Sequence, residues 1–140
     1  KYMKSSYRIS PIGKKGSQYP TCWEMPVKSW ITRPMDETGT VKAGKVQIVG
    51  VAMGGTKKAK SVKVSVDGGK SWKKAKFIGL DLGKFVWRQF ALETTLSAGT
   101  YTLSSKASNG SDTQPELRME NRRGYAHNSW KDHSVKISVV

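Results

Sequence analysis

Apolar and polar residues alternate with a period of two along most of this chain, and no window carries three helical turns of amphipathic pattern. Ser61-Val62-Lys63-Val64-Ser65-Val66 is the cleanest run, with the valines on one side and the polar residues on the other. That pattern predicts a strand with one buried face. Ser134-Val135-Lys136-Ile137-Ser138-Val139 repeats it, and Val27-Lys28-Ser29-Trp30-Ile31-Thr32 alternates until Pro34 stops it. Lys45 to Ala52 is β-branched, with Gly50 where a bulge would shift the phase. Phe85 to Phe90 and Tyr101 to Lys106 complete the series. Ala43-Gly44, Gly54-Gly55, Asp67-Gly68-Gly69, Gly83 and Ala98-Gly99 supply the turns between runs. The spacing predicts an all-β chain of six or seven short strands folded as an immunoglobulin-like antiparallel β-sandwich.

Residues 1–26 follow a different rule. Pro11, Gly13, Gly16, Pro20 and Pro26 break any period, so this stretch is expected to be irregular. It reads either as a connector lying across another surface, with Tyr7, Tyr19 and Trp23 as anchors, or as a disordered tail. The expected division is a linker at 1–26 and the sandwich at 27–140. Because the chain opens on Lys1, it is expected to be a fragment or a processed product, with any targeting segment upstream.

Composition narrows the class. A length of 140 residues suits one domain, and 36% apolar with 25% charged residues is globular rather than disordered. No run approaches the roughly 20 apolar residues that span a bilayer. Cys22 is the single cysteine, which excludes an internal disulfide framework and a multi-cysteine metal site. The formal charge of +15 raises the question of a polyanionic partner. The lysines, however, are scattered from Lys14-Lys15 through Lys57-Lys58 and Lys73-Lys74 to Lys131, without a zinc-finger, ribonucleoprotein or helix-turn-helix pattern. A solvated basic surface with a general preference for acidic partners fits better than specific nucleic-acid binding.

Three strings bear on chemistry. His127 and His133, with Asp132 beside the second, are too few for a metal shell and read as surface histidines. No Gly-x-Ser-x-Gly elbow or oriented acid supports a hydrolase triad, and no carboxylate pair stands out. Ser65-Val66-Asp67-Gly68-Gly69-Lys70-Ser71-Trp72 is the most specific string: Asp67 caps a tight turn, Gly68 and Gly69 supply positive φ, and Trp72 returns on the next strand. It also resembles the Asp-box of sialidase-like propellers, but a single copy does not make a propeller. The third string runs from Gln114-Pro115-Glu116 to Asn121-Arg122-Arg123-Gly124-Tyr125-Ala126-His127-Asn128-Ser129-Trp130. It is either a polar loop, with Gly124 and Asn128 in left-handed conformations, or an anion site built on the guanidinium forks of Arg122 and Arg123.

In their order, Pro26-Val27-Lys28-Ser29, Gly44-Lys45-Val46 with Gly54-Gly55, the Val64 to Trp72 hairpin, Phe85-x-Trp87-Arg88, Gln114-Pro115 and Asn121-x-Arg123-Gly124-Tyr125-x-x-Asn128-x-Trp130 resemble one family. It is the dimerisation domain that follows the molybdopterin domain in sulfite oxidases, sulfite and sulfane dehydrogenases and eukaryotic nitrate reductases. The resemblance covers residues 24–140, with the preceding segment similar to the linker leaving the catalytic domain. Glu120 stands where the family often has Trp, and Lys131-Asp132-His133 replaces a common His-Arg.

The resemblance implies an E-set type sandwich that pairs two protomers as a homodimer. It also implies a molybdenum-molybdopterin cofactor held by the upstream domain, with none bound by this chain alone. Arg123 matches the arginine that reaches toward the substrate oxyanion, with Asn121, Gly124, Asn128 and Trp130 supporting the loop. Asp67, Gly68, Gly69 and Trp72 form a structural hairpin. No catalytic residue and no metal ligand is expected within the chain; the lysine richness, and not the resemblance, suggests a bacterial periplasmic enzyme that hands electrons to a c-type cytochrome. A free-standing module that stacks a polysaccharide on Trp and Tyr, or holds a polyanion on lysines, is the alternative function.

Overall fold

The computed structural model describes residues 6–35 and 39–140. Eight strands follow in order: β1 Lys28–Arg33, β2 Gly44–Met53, β3 Ser61–Ser65, β4 Lys73–Lys74, β5 Lys76–Ile78, β6 Arg88–Leu96, β7 Gly99–Ser108 and β8 Val135–Val139. They form two antiparallel sheets of four strands, ordered β1-β2-β6-β5 and β4-β3-β7-β8. Among the described residues the only helix is a 3-10 turn at Gly16–Gln18. The expected all-β sandwich is the fold observed.

Alternation decides what fills the space between the sheets. Ile31 of β1, Val46, Ile48 and Ala52 of β2, Val62 and Val64 of β3, Phe90 and Leu96 of β6, Leu103 and Ala107 of β7, and Ile137 and Val139 of β8 make one continuous core. Ala75 is buried where the chain leaves one sheet at β4 and enters the other at β5. Val41 pairs with Val139 and closes the β8 edge.

Three expectations are corrected. Phe85 to Trp87 is not strand: Phe85 has φ 63, and the strand begins at Arg88 and runs on to Leu96. The sequence hides this strand because Thr94 occupies a buried position and Ala91 an outward one. Gly50 is not a bulge. Its strand pairs with β6 without interruption from Gly44 to Ala52, and the irregularity lies in β1 between Ile31 and Arg33. Gly50 is glycine because a Cβ there would overlap the Phe90 ring and the Trp30 carbonyl. Finally, Trp72 stands just before the two-residue β4 rather than on a returning strand.

Candidate functional site

The long connection from β7 to β8 holds the third string, and buried polar groups fix its path. Gln114, fully buried, accepts from Ser29 Oγ at 2.6 Å and from the Ala107 N–H at 3.2 Å. Its amide donates to the Ser29 carbonyl at 3.1 Å, and Ser29 Oγ also bonds Ser105 Oγ at 2.9 Å. These groups join the two sheets and pin the start of the connection. Further on, Ser129 Oγ donates to the Glu116 carbonyl at 2.5 Å, and the Trp130 N–H to the Pro115 carbonyl at 2.9 Å. Asn128 donates to the Val27 carbonyl at 2.9 Å and ties the loop to the start of β1.

Asn121 is the hub of the arginine turn. It is buried; its Oδ1 accepts from the Tyr125 N–H at 2.9 Å and the Arg123 N–H at 3.3 Å, while Nδ2 donates to the Tyr125 carbonyl at 2.8 Å. Such an Asx arrangement replaces regular structure as the partner for loop backbone. Gly124 takes φ 67 as expected, but the second left-handed position is Ala126, φ 58, and not Asn128. The turn leaves the Arg123 side chain exposed.

Arg122 has a role that composition could not assign. Its N–H donates to the Ser10 carbonyl at 2.7 Å and its guanidinium to the Lys14 carbonyl at 3.3 Å. Tyr7 stacks on Tyr125 with centroids 5.8 Å apart, and Ser10 is buried. The irregular N-terminal stretch therefore lies against the same turn that presents Arg123. Of the three aromatic residues expected as anchors, Tyr7 makes this ring contact, Tyr19 accepts from Arg8 at 2.9 Å through its carbonyl, and Trp23 is exposed.

The hairpin string and the end of the loop meet. Trp130 packs edge-on to Trp72, centroids 5.0 Å apart, and covers Gly69, where any Cβ would overlap its ring. Asp67 accepts from Ser71 Oγ at 2.5 Å, Ser65 Oγ at 2.7 Å and the Ser71 N–H at 2.9 Å. Those donors, Ser71 Oγ first, hold its carboxyl well below the usual range. The role is structural: the carboxylate organises the turn that seats Trp130.

His127 bonds Asp132 at 2.9 Å, and His133 Nδ1 donates to the Ser129 carbonyl at 2.7 Å. The two rings lie 4.9 Å apart, and His133 stacks on Trp30. No group of three or more His, Cys, Asp or Glu side chains among the described residues converges on a metal-sized site.

Comparison with known proteins decides the family. The model of the Mo-co oxidoreductase dimerisation domain matches residues 19–140. The chain belongs to that family. Mitochondrial sulfite oxidases of Macaca fascicularis and Homo sapiens are each 35% identical to it over 86% of this chain. The chain spans about a quarter of their length, 23% in each case. The crystal structure of the sulfane dehydrogenase SoxCD from Paracoccus pantotrophus has the same fold, with a TM-score of 0.75 at 22% identity over 99% of this chain and 39% of that one. Within this dimerisation domain, Asn121, Gly124, Asn128 and Trp130 form one connected loop, and Asp67, Gly68, Gly69 and Trp72 form the turn it packs on. Gln114, Ser29, Ser105 and Arg122 were missed as organisers, although serines on the apolar side of a strand alternation are a usable signal of a buried polar link.

Proposed function

We propose that this chain pairs two protomers of a molybdenum-cofactor enzyme that oxidises sulfite or a related sulfur oxyanion, and lends Arg123 to the substrate pocket of the adjoining domain. The observation that carries the reading is the joint placement of the N-terminal stretch and Arg123. Residues 1–26 act as the linker from the upstream catalytic domain, and 27–140 as the dimerisation domain. The linker is bonded to the Arg122 backbone and stacked on Tyr125, so an upstream domain is delivered to the end where Arg123 is exposed.

Pairing is homodimeric. The side chains described here offer no donor set for molybdenum, and the one cysteine, Cys22, lies in the linker. The molybdopterin belongs to the upstream domain, where it supplies the oxidation-reduction chemistry. This chain's contribution is electrostatic: an exposed guanidinium held by the Asn121 turn binds an oxyanion through two charged hydrogen bonds. The electron acceptor is a c-type cytochrome and the compartment a bacterial periplasm, in keeping with the basic surface meeting an acidic partner.

In the full-length enzyme, Arg123→Gln should raise the Michaelis constant roughly ten- to a hundredfold, the loss of about 1.5–3 kcal/mol of charged hydrogen bonding. Arg122→Gln should leave substrate binding nearly unchanged and instead lower thermal stability by loosening the linker. Equal small kinetic effects from both would reduce the turn to a surface feature.

A further inference from the structure

The sandwich places Arg88 on its inward side. This residue opens β6 two positions before Phe90, so by the two-residue period of a strand both side chains leave the same face. Phe90 is fully buried, and across the ladder Arg88 stands opposite Ala52, also fully buried. The guanidinium lies over the Phe77 ring, its central carbon 4.1 Å from the ring centroid. That contact holds the planar group in one orientation but does not meet its donors. Arg88 Nε is buried, and among the described residues it is the one buried side-chain nitrogen or oxygen without a hydrogen-bond partner. Folded proteins rarely leave such a donor unmet, because it gives up its bonds to water and receives nothing in exchange.

Around Arg88 the end of the sandwich opens into a recess of about 440 Å³. Lys57, Lys58 and Lys60, from the connection between β2 and β3, line it together with Arg88. Asn109, just past β7, and Asp81, between β5 and β6, also line it. Four cations therefore surround a single carboxylate, and that carboxylate is occupied elsewhere. Asp81 accepts from the Gly83 N–H at 3.0 Å and pairs with Lys58 at 3.4 Å. Lys57 donates to the Ser111 hydroxyl at 2.5 Å, not to a carboxylate. Asn109 is spent on backbone: its amide donates to the Gly54 carbonyl at 2.8 Å, and its Oδ1 accepts from the Ser111 and Asp112 N–H groups.

We propose that this recess binds a tetrahedral oxyanion of the sulfate or phosphate class, with Arg88 Nε as the inner donor and Lys57, Lys58 and Lys60 as its rim. Like charges brought together from separate elements repel, and a small dianion at their centre turns that repulsion into attraction. A tetrahedral anion presents acceptor oxygens on every side, so it meets a fixed guanidinium and several mobile ammonium groups at once. A nucleic-acid strand would need cations along a groove, whereas these converge on one recess. The site uses no residue of the Asn121 turn and stands whether or not the chain pairs.

Proton–nitrogen NMR of the whole chain tests it, because burial slows exchange of the Arg88 Nε–H with water and makes that group its own reporter. Sodium sulfate and, separately, sodium phosphate are titrated in at an ionic strength held constant with sodium chloride. Each should move the Arg88 Nε–H resonance along a saturating curve, half-complete on the order of 1 mM. Lys58→Gln combined with Lys60→Gln removes two exposed charges, keeps the reporter, and should weaken binding roughly tenfold. Asp81→Asn takes away the one competing carboxylate and should tighten binding severalfold. Saturation with sulfate alone or with phosphate alone would uphold the site and name its anion. A shift that rises without saturating, or a curve that the double lysine variant leaves unchanged, would mean an adventitious ion only and would overturn the proposal.

Discussion

His133 couples the loop to the first strand through a bond that needs its Nδ1 proton and through a half-buried ring stacked on Trp30. Burial is the main reason its pKa is lowered; Lys28 and His127 add repulsion, against the opposing pull of the Ser129 carbonyl and Asp132. In the unfolded chain the ring titrates near 6.5, so between that value and the lower folded one the unfolded state binds more protons. Stability from this residue is then complete above about pH 6.5 and is lost as pH falls through the folded value. Melting temperature should drop by a few degrees, on the order of 2–4 °C, between pH 7.5 and 5.5. His133→Gln should flatten that slope, and a variant melting with the wild-type pH dependence would show the histidine to be a bystander. Asp67 acts lower on the scale with the same sign, since its carboxyl is also depressed. Its contribution is present above the ordinary aspartate value and is lost in acid below it.

The coupling between elements runs through Gly69. It combines φ 95 with the Trp130 ring where a side chain would stand, so Gly69→Ala meets backbone strain and overpacking together. About 2–4 kcal/mol should be lost, read as a fall in melting temperature of roughly 10 °C. Gly68→Ala has a positive φ too but would meet only an ordinary contact with Thr102, and should cost less; equal losses at both would mean that Trp130 moves aside freely. This contact also marks where reading the sequence stops. Strands β3 and β8 were legible because their alternation is undiluted, and the Asp67 turn and the Asn121 loop each stood out as strings. Their meeting did not, since it pairs Gly69 and Trp72, near the middle of the chain, with Trp130 close to its end. Strand β6 was placed three residues early because aromatic residues at Phe85 and Trp87 imitate a strand, whereas Thr94 facing inward looks like a break. Gln114 reads as an ordinary loop residue until Ser29 of β1 and the Ala107 N–H of β7 are seen to converge on it from the two sheets.

At the scale of the whole molecule, charge and pairing oppose each other. Two copies of a chain with net charge +15 repel at every orientation. That repulsion is long-range and therefore screened by salt, with a Debye length falling from about 30 Å at 0.01 M to about 10 Å at 0.1 M. With 25 Lys and Arg against 10 Asp and Glu, few ion pairs are available between two copies, so salt removes little attraction in return. Dimerisation should accordingly tighten by on the order of tenfold or more between 0.01 and 0.1 M sodium chloride, the opposite of an interface held by ion pairs. Sedimentation velocity across that range, at fixed protein concentration, measures it directly. Weakening with salt would mean that ion pairs between the acidic groups of one copy and the lysines of the other hold the contact.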